Sequence, residues 1–150
     1  MIVRTAEISD FKDVASLVGQ MQKNLQPRAQ FNWDEALITD ELKSANTLVA
    51  IQASRLGAFL SYREAPDFLE ITVLATSVEF RKQGLQTALL SELIRIACAK
   101  NKYILLEVHE ENLGAINFYR RLGFYLLSTR KSYYTDGRAA LVLKHSFENS

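Results

Sequence analysis

Cysteine is nearly absent from this chain. Cys98 is its only one, so no internal disulfide can form and the fold must be held by packing. Its two histidines, His109 and His145, lie too far apart for a metal-ligand spacing, and the sequence implies no metal site. Charge of one sign is missing as well: 18 basic side chains face 17 acidic ones, a net charge of +1, which leaves no electrostatic footprint for gripping nucleic acid. No apolar run approaches a bilayer span, and no charged and apolar leader pattern opens the chain. The expected compartment is therefore the cytoplasm, with no membrane partner. Oligomeric state is not readable from these features. Proline is scarce, and no repeat, low-complexity tract or linker interrupts the pattern, which predicts one domain over residues 1–150.

What is present is an apolar content of 48%, enough for a core, arranged in clear periods. "IVRTAE" predicts a strand. Ser9 is the expected N-cap of a helix carrying Phe11, Val14, Leu17, Val18 and Met21 at helical spacing. Pro27 breaks this helix, and "WDEALITDELKS" predicts a second. Three β-rich runs follow, "TLVAIQA", "GAFLSYRE" and "FLEITVLAT", as an antiparallel meander. A third helix has Leu85, Ala88, Leu89, Leu93, Ile96 and Ala97 on one side and ends at Asn101, with Cys98 as core filler. "YILLEVHE" predicts a strand, and "NLGAINFYRRLG" a helix stopped by Gly123. The last pair, "FYLLSTRKSYY" and "RAALVLKH", predicts a hairpin turning at Thr135, Asp136 and Gly137. The order is that of a mixed α/β fold with a central sheet flanked by helices.

Chemistry first shows at "RKQGLQT". A glycine at a strand-to-helix junction lets backbone N–H groups approach an anion, and phosphate is the usual occupant. Three ordered stretches then carry a family resemblance: Arg81-Lys82-Gln83-Gly84-Leu85-Gln86, "LLEVHEEN", and the segment from Asn112 to Phe124. Together they resemble the GNAT superfamily of acetyl-CoA-dependent N-acetyltransferases over nearly the whole chain. This implies the GNAT (acyl-CoA N-acyltransferase) fold. Within it the likeness runs to the bacterial ribosomal-protein-alanine N-acetyltransferase group, through Leu106-Glu107-Val108-His109, Tyr119, Trp33, and Tyr133 with Tyr134 before the Asp-Gly turn.

The resemblance implies acetyl-CoA as cosubstrate and a protein N-terminus, plausibly ribosomal, as acceptor. Arg81, Lys82, Gln83, Gly84, Leu85, Gln86 and Thr87 would cradle its pyrophosphate, although Arg81 and Lys82 read equally as solvated loop cations. Leu74, Ala75 and Thr76 would bind the pantetheine arm beside a local bulge, and Asn112 would be both N-cap and cofactor contact. Gln86 stands where the family prefers Gly or Ala.

Glu107, a carboxylate in an otherwise apolar strand, is the expected general base, with His109 on the same face as a second candidate for proton relay. An α-amine with a pKa of about 8 is neutral roughly a tenth of the time at pH 7, so it needs less help than a lysine. Tyr119 is the expected donor to the departing thiolate, either with a lowered pKa or by hydrogen bonding. Trp33, Tyr133 and Tyr134 are expected to bind substrate, while the paired tyrosines also read as cross-strand packing. Ser132 and the pair Ala139-Ala140 depart from the group's pattern. Two other readings remain open: a small-molecule or lysine acceptor, and a non-catalytic acyl-CoA-binding module.

Overall fold

The computed structural model describes residues 1–24, 35–134 and 136–147. Its elements are β1 (Ile2–Thr5), α1 (Phe11–Asn24), α2 (Glu35–Ser44), β2 (Asn46–Gln52), β3 (Arg55–Glu64), β4 (Phe68–Thr76), α3 (Leu85–Lys100), β5 (Tyr103–His109), α4 (Leu113–Arg121), β6 (Tyr125–Arg130) and β7 (Ala140–His145). The strands form one seven-stranded sheet in the order β1-β2-β3-β4-β5-β7-β6. Only β4 and β5 pair in parallel; the other neighbours are antiparallel. The mixed sheet between helices is the expected architecture.

Two apolar clusters sandwich the sheet. On one face Leu48, Leu60, Leu69, Ile104 and Leu106 pack with Leu85, Leu89, Leu90 and Leu93 of α3 and with Ile116 and Tyr119 of α4. On the other, Val49, Phe59, Val73 and Ala75 pack with Val14, Leu17 and Val18 of α1 and Leu42 of α2. Alternation along each strand sends successive residues to opposite clusters.

Two of the expected details are corrected. Ser9 is not the N-cap of α1, because a 3-10 turn at Ile8–Asp10 leads into the helix. Asp10 does the capping work instead: its carboxylate accepts the Glu7 N–H at 2.7 Å and both terminal guanidinium nitrogens of Arg4, at 2.7 and 3.2 Å. A carboxylate satisfies three donors at once, which a hydroxyl cannot, and the Arg4 guanidinium holds this carboxyl below its ordinary range. Cys98 is exposed rather than core filler. The buried stripe of α3 runs Leu85, Leu89, Leu90, Leu93, Ala97, and the next residue turns about 100° away from it.

Besides a bulge at Leu127 of β6, two bulges shape the sheet. Between the pairs Ala50–Ala58 and Ile51–Leu56 the extra residue is Gly57. A Cβ there would lie 2.6 Å from Leu85 Cδ2 and 2.8 Å from Phe80 Cγ, so the missing side chain lets the start of α3 seat directly on β3. Gly57→Ala is expected to lower the unfolding free energy by about 1–3 kcal/mol in urea titration. An unchanged midpoint would mean that Leu85 and Phe80 yield without cost.

The second bulge lies on β4. Ser61 pairs with Val73 but Tyr62 pairs with Ile71, leaving Thr72 as the extra residue, its hydroxyl donating to the Ser61 carbonyl at 3.2 Å. The expected bulge is thus present, but it sits ahead of Leu74, Ala75 and Thr76. It also exchanges the faces of the strand: Leu69 and Ile71 join the α3 side, whereas Val73 and Ala75 join the α1 side.

Candidate active site

β4 and β5 are hydrogen-bonded only where Phe68–Glu70 run beside Tyr103–Leu105. Beyond that point they part. A cleft of about 380 Å³ opens between Ile71–Leu74 on one wall and Leu106–His109 on the other, with α4 along one side. The β4 edge past Glu70 is paired with β3 alone, so its cleft-side backbone groups have no strand partner.

Glu107 lines this cleft from β5. Ile104, Leu106 and Val108 are buried against the α3 and α4 side, and the two-residue period sends Glu107 to the other face, with its side chain 29% exposed. Arg130 of β6 donates to Glu107 Oε1 at 2.6 Å and lies over the Tyr133 ring, 5.2 Å from its centroid. Nothing in the sequence flags Arg130. It reaches Glu107 across β7, which the topology inserts between β5 and β6.

Tyr119 lines the same cleft from α4. Its ring packs edge-on against Phe118 and Phe124, at 5.4 and 5.5 Å, and burial pushes its phenol well above the ordinary pKa. Of the two routes expected for a donor here, burial opposes a lowered pKa and favours hydrogen bonding. Asn112 caps α4 as expected, its Oδ1 accepting the Ala115 N–H at 3.2 Å, and it also borders the cleft.

The loop before α3 is open to solvent at Arg81, Lys82, Gln83 and Gly84. Gly84 is the N-cap of α3 with φ of 84°, and among the described residues no side chain caps this helix terminus. A Cβ on Gly84 would meet nothing within 4 Å among the described residues, so the space beside it is open. The Gln83 side chain is spent within the loop, donating to the Glu79 carbonyl at 3.0 Å and accepting from Gln52 at 2.6 Å. Leu85 is buried in the core, Thr87 is exposed, and Gln86 lines the cleft. Uncapped N–H groups, two exposed cations and the unpaired β4 edge suit an extended ligand carrying a pyrophosphate.

The other candidates divide. Leu74 lines the cleft, but the Ala75 side chain is buried in the α1 cluster. Thr76 is also buried, with Oγ1 unpartnered. Trp33 lies outside the described residues. Tyr133 and Tyr134 do not belong to paired strands, because β6 ends at Arg130 and β7 begins at Ala140. The two tyrosines therefore do not pack across paired strands; Thr135, the first residue of the expected turn, lies outside the described residues. The hairpin is shorter in its strands than the apolar runs suggest. Its inner turn is closed by Gly137 N–H donating to the Tyr134 carbonyl at 3.0 Å and Tyr134 N–H donating to the Arg138 carbonyl at 3.1 Å. Tyr134 borders the cleft, whereas Tyr133 is 49% exposed. Burial and the nearby Glu107 carboxylate raise the Tyr134 phenol.

His109 is fully engaged. Its Nδ1 accepts the Glu111 N–H at 3.1 Å, so its Nε2 carries the proton donated to Asp136 Oδ2 at 2.7 Å. Neither nitrogen is left to take a proton from a substrate.

Comparison with known proteins agrees with this geometry. The ribosomal-protein-S18-alanine N-acetyltransferase from Escherichia coli shares the fold with a TM-score of 0.81 at 24% identity, over 97% of this chain and 94% of that one. The ribosomal-protein-alanine N-acetyltransferase from Brucella melitensis gives 0.81 at 18% identity, over 98% and 100%. Ard1 from Thermoplasma volcanium gives 0.79 at 24% identity, over 96% and 95%. The profile of the acetyltransferase (GNAT) family matches residues 15–124, which run from α1 through the Gly84 loop and both cleft strands to the end of α4 and Phe124. The chain thus belongs to the GNAT family of acetyltransferases.

Proposed function

We propose that the chain, as a single domain, transfers acetyl from acetyl-CoA directly to the N-terminal α-amine of a protein, of the ribosomal-protein alanine type. The observation that carries the reading is the placement of a carboxylate, Glu107, and a protonated phenol, Tyr119, in one cleft whose other wall is an unpaired strand edge. Two of the fold relatives bear that activity in their names. An acceptor of that kind is made in the cytoplasm, and the proposal carries that location with it.

The cosubstrate supplies an acyl thioester; the rest falls to the chain. Amides from Lys82 to Thr87, with Arg81 and Lys82 beside them, hold the pyrophosphate against the positive end of α3. The backbone of Leu74, Ala75 and Thr76 accompanies the pantetheine arm, and an N–H freed near the Thr72 bulge polarises the thioester carbonyl. Arg130 occupies Glu107 Oε1, so Oε2 takes the proton of the amine, directly or through a water. Tyr119 donates a hydrogen bond to the departing sulfur. No covalent enzyme intermediate forms, because Cys98 is exposed on α3 and does not line the cleft.

A small-molecule or lysine amine is the second reading, favoured by the buried Ala139 and Ala140 where the resembled group carries acids. A non-catalytic acyl-CoA-binding role is the third, motivated by Gln86 in the cleft. Acetyl-CoA consumption by the purified protein separates them. Turnover on peptides with a free N-terminal alanine, exceeding that on polyamines, aminoglycosides and lysine side chains, is the expected result. Turnover confined to small amines would reassign the acceptor, and cofactor binding without turnover on any amine would overturn the enzymatic reading.

A further inference from the structure

The connection from β6 to β7 is tied to the end of β5 by more than its strands. Asp136 bridges two elements: Oδ2 accepts the His109 Nε2–H at 2.7 Å, and Oδ1 accepts the Arg138 N–H at 2.9 Å. Arg138 in turn reaches Glu111 at 3.1 Å and Glu110 at 3.8 Å. Glu110 N–H donates to the Ala139 carbonyl at 3.0 Å, closing the same junction through the backbone.

At the centre of this junction His109 is 1% exposed, and its ring lies face to face with that of Tyr134, 4.8 Å between centroids at 28°. Most buried polar side-chain atoms have a hydrogen-bond partner, and both ring nitrogens of His109 do. The partners here come from the β5–α4 turn on one side and the hairpin loop on the other, so burying His109 fixes one against the other. The stacking face it then offers sets where the Tyr134 phenol stands at the edge of the cleft.

We propose that His109 and Asp136 form a latch that positions Tyr134 for gripping the acceptor, making them positioning residues for acceptor binding rather than members of the proton path. This rests on the proposed N-terminal acceptor and on the expectation that Tyr134 is among the residues that bind it. A latch of this kind changes how well the acceptor binds but not how the bond is made, since Glu107 and Tyr119 are held by other contacts.

The test compares Asp136→Ala, Asp136→Asn and His109→Phe with wild type, using acetyl-CoA and a peptide with a free N-terminal alanine. Asp136 is on the exposed turn, so its variants leave the core intact even if His109→Phe disturbs it. Asp136→Ala and His109→Phe are expected to raise KM for the peptide about tenfold, with kcat and KM for acetyl-CoA within about twofold of wild type. Asp136→Asn, which keeps an acceptor for Nε2–H, restores most of the peptide KM.

A fall in kcat at unchanged peptide KM would overturn the latch in favour of a proton relay, and no change in any constant would also overturn it. Hydrogen exchange supplies an arm independent of the acceptor. With the latch in place, the Gly137 amide exchanges about tenfold more slowly in wild type than in Asp136→Ala. If wild type acetylates none of the peptides, the acceptor reading fails alone, and equal exchange at Gly137 would overturn the latch itself.

Discussion

Glu107→Gln lowers kcat/KM at pH 7 by about 10²- to 10⁴-fold while leaving acetyl-CoA affinity unchanged. This is the range expected when one general base is removed. The substitution keeps the size of the side chain and an oxygen for Arg130 to donate to, so the pair at 2.6 Å is weakened rather than emptied. What is lost is the ability to take a proton. The defect should also shrink as pH rises above the amine's own pKa of about 8, because a neutral amine no longer needs the base. Rates measured from pH 6 to 10 check both parts. A variant within about threefold of wild type across that range would remove Glu107 from the proton path.

Tyr119→Phe lowers kcat by about 10²-fold, the order of loss seen when one preorganised donor to a developing negative charge is removed. The ring contacts with Phe118 and Phe124 survive the change, so thermal unfolding should move little. The sign of the pKa shift gives a second check. Burial raises the phenol, so it remains protonated above the pH of about 10 at which a free tyrosine ionises. Any alkaline fall in the wild-type rate below that pH therefore arises from another group, and it should persist in Tyr119→Phe. A kcat unchanged by the substitution would reduce Tyr119 to a packing residue.

Much of the fold was legible because its signals are local. The apolar spacing of α3, the Asn112 cap and Gly123 stop around α4, and the three β-rich runs each depend on neighbours in sequence. The candidate base and donor were legible for a different reason, through their ordered place in a resemblance. What escaped is non-local. Ser9 and Asp10 cannot be ranked as caps without Arg4, six residues back, whose guanidinium fills the Asp10 carboxylate. The shift of one residue in the β4 bulge depends on pairing with β3. Tyr133 and Tyr134 sit in strand-like sequence but lie beyond the end of β6, with Tyr134 stacked on His109, a contact that no period reveals. Arg130 becomes visible only once β7 is known to lie between β5 and β6.

That insertion has a consequence for the order of assembly. As the polypeptide is synthesised, β5, α4 and β6 are all made before the strand that joins them, and until β7 arrives the strand carrying Glu107 presents a bare edge. Pairing β5 with β7 brings together Ile104 and His145, and Glu107 and Val142, which are distant along the chain, so it is a slow closing event rather than a local one. The half of the sheet that carries Glu107 should therefore be completed in a single late step. During the interval before it, the nascent protein is most exposed to mispairing with other chains.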